Sequence, residues 1–218
     1  MAAMMTRTLY NTARSSASFR VRIALNLKGL PYEHVAVNLL KGEQSRDEFR
    51  ALNPAQLVPV LEDNGERLTQ SLAIIEYLEE TYPQPPLLPI EPVARAYVRA
   101  IALSIACEIH PLNNLRVLRY LMRTLQVGEE AKNTWYRHWV EQGFAQLEGQ
   151  LATSGRAGRF VLGDAVTVAD VVLVPQIFNA QRFDCKLDQA PTVMRIFESC
   201  MQLPPFQAAQ AERQPDFV

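Results

Sequence analysis

Apolar and polar positions in the first 86 residues switch between a period of two and a helical period. Thr8-Leu9-Tyr10-Asn11 reads as a short strand. Phe19, Val21, Ile23, Ala24 and Leu27 then mark a helix from Ser16 to Lys28, with Gly29 at its C-cap and Pro31 beyond it. Tyr32 to Asn38 alternates as a strand, Ser45 to Leu52 reads as a short helix, and Val58 to Glu62 reads as a strand. Asn64-Gly65 is a hairpin signal leading into a return strand at Arg67-Leu68-Thr69. Ser71 caps a helix over Leu72 to Tyr82, whose apolar residues recur with helical spacing.

Pro83, Pro85, Pro86, Pro89 and Pro92 cannot continue that helix, and they read as a linker. Almost everything beyond is helical in pattern. One helix runs from Val93 to Ile109, with Pro111 marking its end or a kink. Others cover Leu115 to Leu125 and Glu129 to Leu151. Thr167-Val168-Ala169-Asp170 is a capping box, with Val166 and Val171 as its staple, opening a nearly all-apolar helix over Val171 to Asn179 that should be buried. The expected fold class is α/β plus all-α: residues 5–86 as one domain, residues 92–218 as a helical second domain.

Composition narrows the functional classes. The chain has 218 residues and a net charge of −1, which gives no reason to expect nucleic acid or an anionic membrane as partner. No apolar run is long enough to span a bilayer. Met1 to Met5 lacks the basic and apolar regions of a signal peptide and reads as a frayed leader, with Met4 or Met5 as possible starts. Cys107, Cys185 and Cys200 are odd in number and show no C-x-x-C spacing, and the three histidines are scattered. That pattern disfavours a disulfide framework or a structural zinc site and points to a reduced, cytoplasmic setting.

The chemistry concentrates at Arg14-Ser15-Ser16-Ala17-Ser18. A strand, a polar turn and a helix opening with hydroxyls place donors at a helix N-terminus, where free N–H groups and the helix dipole favour an anion. Gln70-Ser71 is a second element of the same kind. The plainer reading of either serine is a helix cap, but that leaves Gln70 unexplained. Arg14, Arg116 and Arg182 are candidates for carboxylates, because a guanidinium binds them bidentately and keeps its charge; the commoner fate of arginine is a surface ion pair. Arg20 and Arg22, on the first helix, read as packing and ion-pair residues, and Asp170 as a folding residue.

The run Ser15-Ser16-Ala17-Ser18-Phe19-Arg20-Val21-Arg22-Ile23-Ala24-Leu25 resembles the signature S-S-C-x-W-R-V-R-I-A-L of the zeta-class glutathione transferases. Asn53-Pro54, Leu57-Val58-Pro59, Gln70 to Glu80, Val174-Pro175-Gln176 and the tail Arg213-Gln214-Pro215-Asp216 extend the resemblance over essentially the whole chain. Ala17 replaces the family cysteine and Phe19 its tryptophan, so no protein thiol is available at that position.

The resemblance implies a thioredoxin-like N-terminal domain followed by an all-helical glutathione transferase C-terminal domain. It also implies glutathione as cofactor, with Ser15 activating the thiol and Ser16 and Ala17 contributing backbone N–H groups at the same helix end. A cis peptide at Pro59 would let Val58 pair with the peptide part of glutathione, although trans is the commoner state of an X–Pro bond. Gln70 and Ser71 would hold the γ-glutamyl carboxylate; Gln44 is a weaker candidate; His110 and Asn114 match positions that help hold glutathione. Positions matching Arg14 and Arg182 flank the substrate pocket in the family. The position of Arg116 varies, and its arginine is similar to that of bacterial maleylpyruvate isomerases. The implied activity is maleylacetoacetate isomerase, a step of tyrosine and phenylalanine degradation, acting on a small-molecule diacid in a homodimer and needing no metal. Maleylpyruvate isomerase, a general transferase or dehalogenase, and a non-catalytic binding member of the fold remain as alternatives.

Overall fold

The computed structural model describes residues 7–217; the leader read at Met1 to Met5 lies outside the described residues. The chain divides into two compact units, one reaching Pro86 and resuming at Gln202, the other Leu87–Met201.

The first unit begins with β1 (Thr8–Asn11), α1 (Ser16–Leu27), β2 (Glu33–Ala36), α2 (Asp47–Leu52), β3 (Val60–Asp63), β4 (Glu66–Thr69) and α3 (Ser71–Thr81). Its sheet has the order β2-β1-β3-β4, with β1 parallel to β2 and the other two pairs antiparallel. Parallel neighbours need a crossover, which α1 supplies. Leu9 and Leu61 are paired and wholly buried. Tyr10 and Val60, on the opposite face by the period of the strand, join Val37, Phe49 and Leu52 in a cluster beneath α2. β3 starts two residues later than expected, beyond Pro59, which has no N–H for the ladder. Arg46 is extended (φ −74°, ψ 153°), so α2 starts at Asp47 rather than Ser45, after a tight turn at Glu43–Ser45. Asn64 (φ 54°) and Gly65 (φ 80°) form the expected hairpin turn. At the end of α1, Gly29 (φ 63°) lets Leu30 N–H reach Leu25 O at 2.9 Å, and Gly29 N–H reach Asn26 O at 3.1 Å.

The second unit holds α4 (Pro92–Leu103), α5 (Leu115–Arg123), α6 (Glu129–Thr153), α7 (Val168–Arg182) and α8 (Pro191–Met201). Pro92 opens α4 instead of closing the linker, because its missing N–H is no loss in a first helical turn. The expected continuous helix to Ile109 is interrupted: a wide turn over Ser104–Ile109 and a tight turn over His110–Asn113 follow α4. Ile109 packs so closely on α6 that a Cβ at Gly143 would stand 2.5 Å from its side chain. α7 is the buried helix the sequence indicated, with Val171, Val172, Leu173 and Ile177 wholly inside.

The tail corrects the sequence-based division of the chain. Residues from Gln202 onward fold with the first unit, whereas the apolar pattern placed them in the helical domain. α9 (Pro204–Ala209) packs on α1, where Asn26 Nδ2 donates to Pro205 O at 3.1 Å and Arg22 Nε to Ala209 O at 3.0 Å.

Asp170 is wholly buried at the head of α7. Its carboxylate accepts from Thr167 N–H (2.8 Å), the Thr167 hydroxyl (2.8 Å) and Val161 N–H (2.9 Å). Burial raises its pKa from 3.8 to about 6 against the pull of those bonds. Between these values the folded protein holds a proton that the unfolded chain releases, so this contribution is full at low pH and is lost as pH rises through about 6. The stability difference between wild type and Asp170→Ala is therefore expected to narrow by about 2 kcal/mol from about pH 4 to about pH 6.5, measured by urea unfolding. A difference independent of pH would refute the raised pKa.

Candidate active site

Ser15 is the N-cap of α1, with extended backbone (φ −76°, ψ 119°), and its Oγ accepts the Ser18 N–H at 3.2 Å. The hydroxyl is half-buried, and because Oγ acts here as acceptor, its own proton can be donated to an anion. Ser16 is buried and Ala17 half-buried in the first turn of α1, at the positive end of the helix dipole. Arg14 is exposed, its guanidinium 5.0 Å from the centre of the Phe217 ring.

The turn carrying these residues is held from beneath by Arg22, which the sequence assigned to packing and ion pairs. Its buried guanidinium meets no carboxylate in hydrogen-bonding range among the described residues. It donates instead to Asn11 Oδ1 (2.9 Å), Thr12 O (3.2 Å), Ala13 O (2.8 Å) and Ala209 O. Burial lowers its pKa to about 10, which keeps it charged at neutral pH. Nothing in the local pattern distinguishes this arginine from a surface one.

At the head of α3, Gln70 is exposed and holds φ +67° with ψ 112°, a conformation costing a non-glycine residue about 1 kcal/mol or more. Such outliers persist where surrounding structure imposes them, and they cluster at ligand sites. Ser71 is buried, and its Oγ accepts from Arg20 Nη1 at 3.3 Å, so a residue of α1 ties down the start of α3. Arg20 thus has a role beside a site residue that sequence reasoning missed. The Val58–Pro59 bond is cis. Among the described residues, the Val58 N–H and C=O make no backbone hydrogen bond, which leaves them suited to an extended peptide. Gln44 lies on the tight turn before α2, half-buried, with a buried Oε1 that has no partner among the described residues.

In the second unit His110 is half-buried at the tight turn after α4, and Asn114 caps α5, its Oδ1 accepting the Arg116 N–H at 3.1 Å. Arg116 is exposed. Arg182, exposed at the end of α7, bonds Asn179 Oδ1 at 3.2 Å and lies near the rings of Phe178 (5.9 Å) and Phe183 (5.6 Å). The cysteines offer no substitute for the thiol missing at Ala17: burial pushes Cys185 up to about 12 and raises Cys200 as well, while Cys107 lies on the turn after α4.

Residues 9–86 match the glutathione S-transferase N-terminal domain, and residues 135–192 match the C-terminal domain. A probable maleylacetoacetate isomerase of Vibrio cholerae is 51% identical, over 98% of this chain and 99% of its own. A holo structure of maleylpyruvate isomerase, described as a bacterial zeta-class glutathione S-transferase, superposes with TM-score 0.95 at 47% identity, covering 97% of this chain and all of that one. A maleylacetoacetate isomerase from Methylobacterium extorquens, with malonate and glutathione bound, superposes with TM-score 0.94 at 42% identity, over 97% and 99% of the two chains. The chain belongs to the glutathione S-transferase family, in its zeta class.

A capping role and a thiol-activating role for Ser15 predict different effects of substitution. Ser15→Ala is expected to lose about 1 kcal/mol of stability. Ser15→Asp should recover that stability, since Asp caps as well as Ser, yet its negative charge should suppress the thiolate of bound glutathione. Urea unfolding and ultraviolet thiolate absorbance would check both. Undiminished thiolate in Ser15→Asp would reduce Ser15 to a cap.

Proposed function

We propose that this protein is a glutathione-dependent cis–trans isomerase whose substrate is maleylacetoacetate. The observation that carries the reading is the head of α1: a half-buried Ser15 hydroxyl that can donate to an anion, beside the exposed guanidinium of Arg14. Support comes also from the relatives, among them a maleylacetoacetate isomerase with glutathione and a dicarboxylate bound.

The residues fit glutathione. Ser15, Ser16 and Ala17 would receive its sulfur at a helix N-terminus, Val58 its peptide backbone, and Gln70 and Ser71 its γ-glutamyl carboxylate, with Gln44, His110 and Asn114 as further candidates. Bound glutathione supplies a thiolate whose reversible addition to an electron-poor double bond lets that bond turn and reform. Ser15 lowers the energy of the sulfur anion by donating its proton in a hydrogen bond and by its place on the positive end of the α1 dipole. Arg14 offers a bidentate contact to a substrate carboxylate, which orients the reacting carbons and stabilises charge as it spreads toward the carbonyl. Arg116 and Arg182, in the second unit, are suited to carboxylates by the same chemistry.

Arg116 favours a second reading, maleylpyruvate isomerase, in which the same chemistry acts on a shorter diacid; the Ralstonia enzyme of that name is 48% identical over 95% of this chain. We infer further that the protein works in the cytoplasm as a homodimer within aromatic amino-acid catabolism. Its zeta-class membership and the lack, among the described residues, of a helix long and apolar enough to cross a membrane are consistent with that setting.

Purified protein is expected to isomerise maleylacetoacetate only when glutathione is added, followed optically. Faster turnover of maleylpyruvate would select the second reading. No turnover of either, with glutathione still bound, would move the assignment to conjugation or dehalogenation; no binding of glutathione would leave a non-catalytic member of the fold. Arg14→Ala is expected to lower kcat/KM for the diacid by about 100-fold, and Arg14→Lys to restore little of it, because an ammonium cannot make the bidentate contact.

A further inference from the structure

The tail motif Arg213-Gln214-Pro215-Asp216 has no part in the chemistry described so far. Its place in the first unit gives it one. Gln214 Nε2 donates to Ala208 O (2.9 Å) and Gln210 O (2.8 Å), folding the tail back after α9. This brings Asp216 to the β1–α1 turn, where its Oδ2 accepts the Ala13 N–H at 2.9 Å and the Thr12 hydroxyl at 3.2 Å. Its other oxygen, Oδ1, faces His34 Nε2 of β2 at 3.0 Å. The neighbouring Phe217 ring lies under the Arg14 guanidinium.

The peptide units just before Arg14 are therefore gripped from two sides. Asp216 takes the N–H of Ala13; Arg22 takes the carbonyls of Thr12 and Ala13; and Ser15 N–H closes the turn on Thr12 O at 3.1 Å. Hydrogen bonds between ionised side chains and backbone are about twice as strong as neutral ones, so this turn has a single well-defined course. Arg14 and Ser15 are the next two residues along it.

We propose that Asp216 is a positioning residue for the thiol site, fixing through Ala13 and Thr12 the turn that presents Ser15 and Arg14. Asp216 touches neither thiol nor diacid; it acts through the turn. The proposal rests on Ser15 as the thiol-activating residue, and its test needs no isomerase assay.

The experiment compares wild type with Asp216→Ala, Asp216→Asn and Thr12→Val. Two readouts are used: hydrogen exchange of residues 12–18 in the ligand-free protein, and the thiol pKa of bound glutathione from its thiolate absorbance against pH. Asp216→Ala is expected to speed exchange of the turn amides and to raise the thiol pKa by about one unit as the sulfur loses its aligned donor. Asp216→Asn, whose Oδ1 can still accept from Ala13, should restore most of both, and Thr12→Val should lose a smaller part. If isomerase activity is present, kcat should fall about tenfold to a hundredfold in Asp216→Ala, with the KM for glutathione little changed. Faster exchange with an unchanged thiol pKa would make Asp216 a purely structural clamp and overturn the proposal; unchanged exchange would overturn it as well. If Asp216→Ala does not fold, the Asn and Thr12→Val variants decide by the same two readouts. Failure of isomerisation by wild type with a shifted thiol pKa in Asp216→Ala would sink the isomerase reading and leave the positioning role standing.

Discussion

The buried guanidinium of Arg22 organises the first unit. Removing an arginine from water is tolerated only where acceptors surround it, and Arg22 meets this demand with backbone carbonyls from two distant parts of the chain. Thr12 O and Ala13 O belong to the turn after β1, and Ala209 O closes α9. The charge cannot be satisfied unless α9 is docked and the turn is formed, so two features that could have varied independently are locked together. Carbonyl acceptors suit the purpose better than one carboxylate, because they fix direction at several points of the backbone.

The same logic governs the other end of the unit. Lys28 Nζ, fully buried, meets Glu79 Oε2 (2.8 Å), Tyr82 O (2.8 Å) and Pro85 O (3.0 Å), tying the close of α1 to the end of α3 and to the segment that leaves the unit. α1 is buried on nearly every side, between α3 and α9, so its orientation is set by packing along its length, by Arg22 at its middle and by Lys28 at its close. A helix held in this way keeps its N-terminus in a fixed place, which a site that orients an anion requires.

Much of this was legible from residues alone. The Asn64-Gly65 turn, the Gly29 termination and the Thr167–Asp170 box are local devices whose geometry follows from a few neighbouring side chains, and they fold as read. The sheet segments and the head of α1 were likewise visible. What escaped were properties that depend on distant partners. Pro92 is compatible with both a linker and a helical first turn, and the capping carboxylate of Glu91 decides between them. Arg22 looks like any helical arginine until the carbonyls around it are known. The tail after Met201 has an ordinary apolar pattern, and such a pattern says that a face is buried without saying against what. In the candidate site, Ser15, Gln70 and Ser71 stand out in the sequence because helix starts are written locally. The grip of Asp216 on Ala13 spans 203 residues and has no local signature.

The docking of α9 on α1 also has a consequence in time. Chains emerge from the ribosome N-terminus first, and their domains generally fold as they appear. Here the sheet and its first three helices are exposed long before the segment from Gln202 is made. At ordinary elongation rates that interval is on the order of ten seconds. Throughout it Arg22 lacks one of its acceptors and α1 lacks its cover, so the nascent unit keeps an apolar face and a partly solvated cation. The first unit begins to form early in synthesis and is completed only once the segment from Gln202 has emerged.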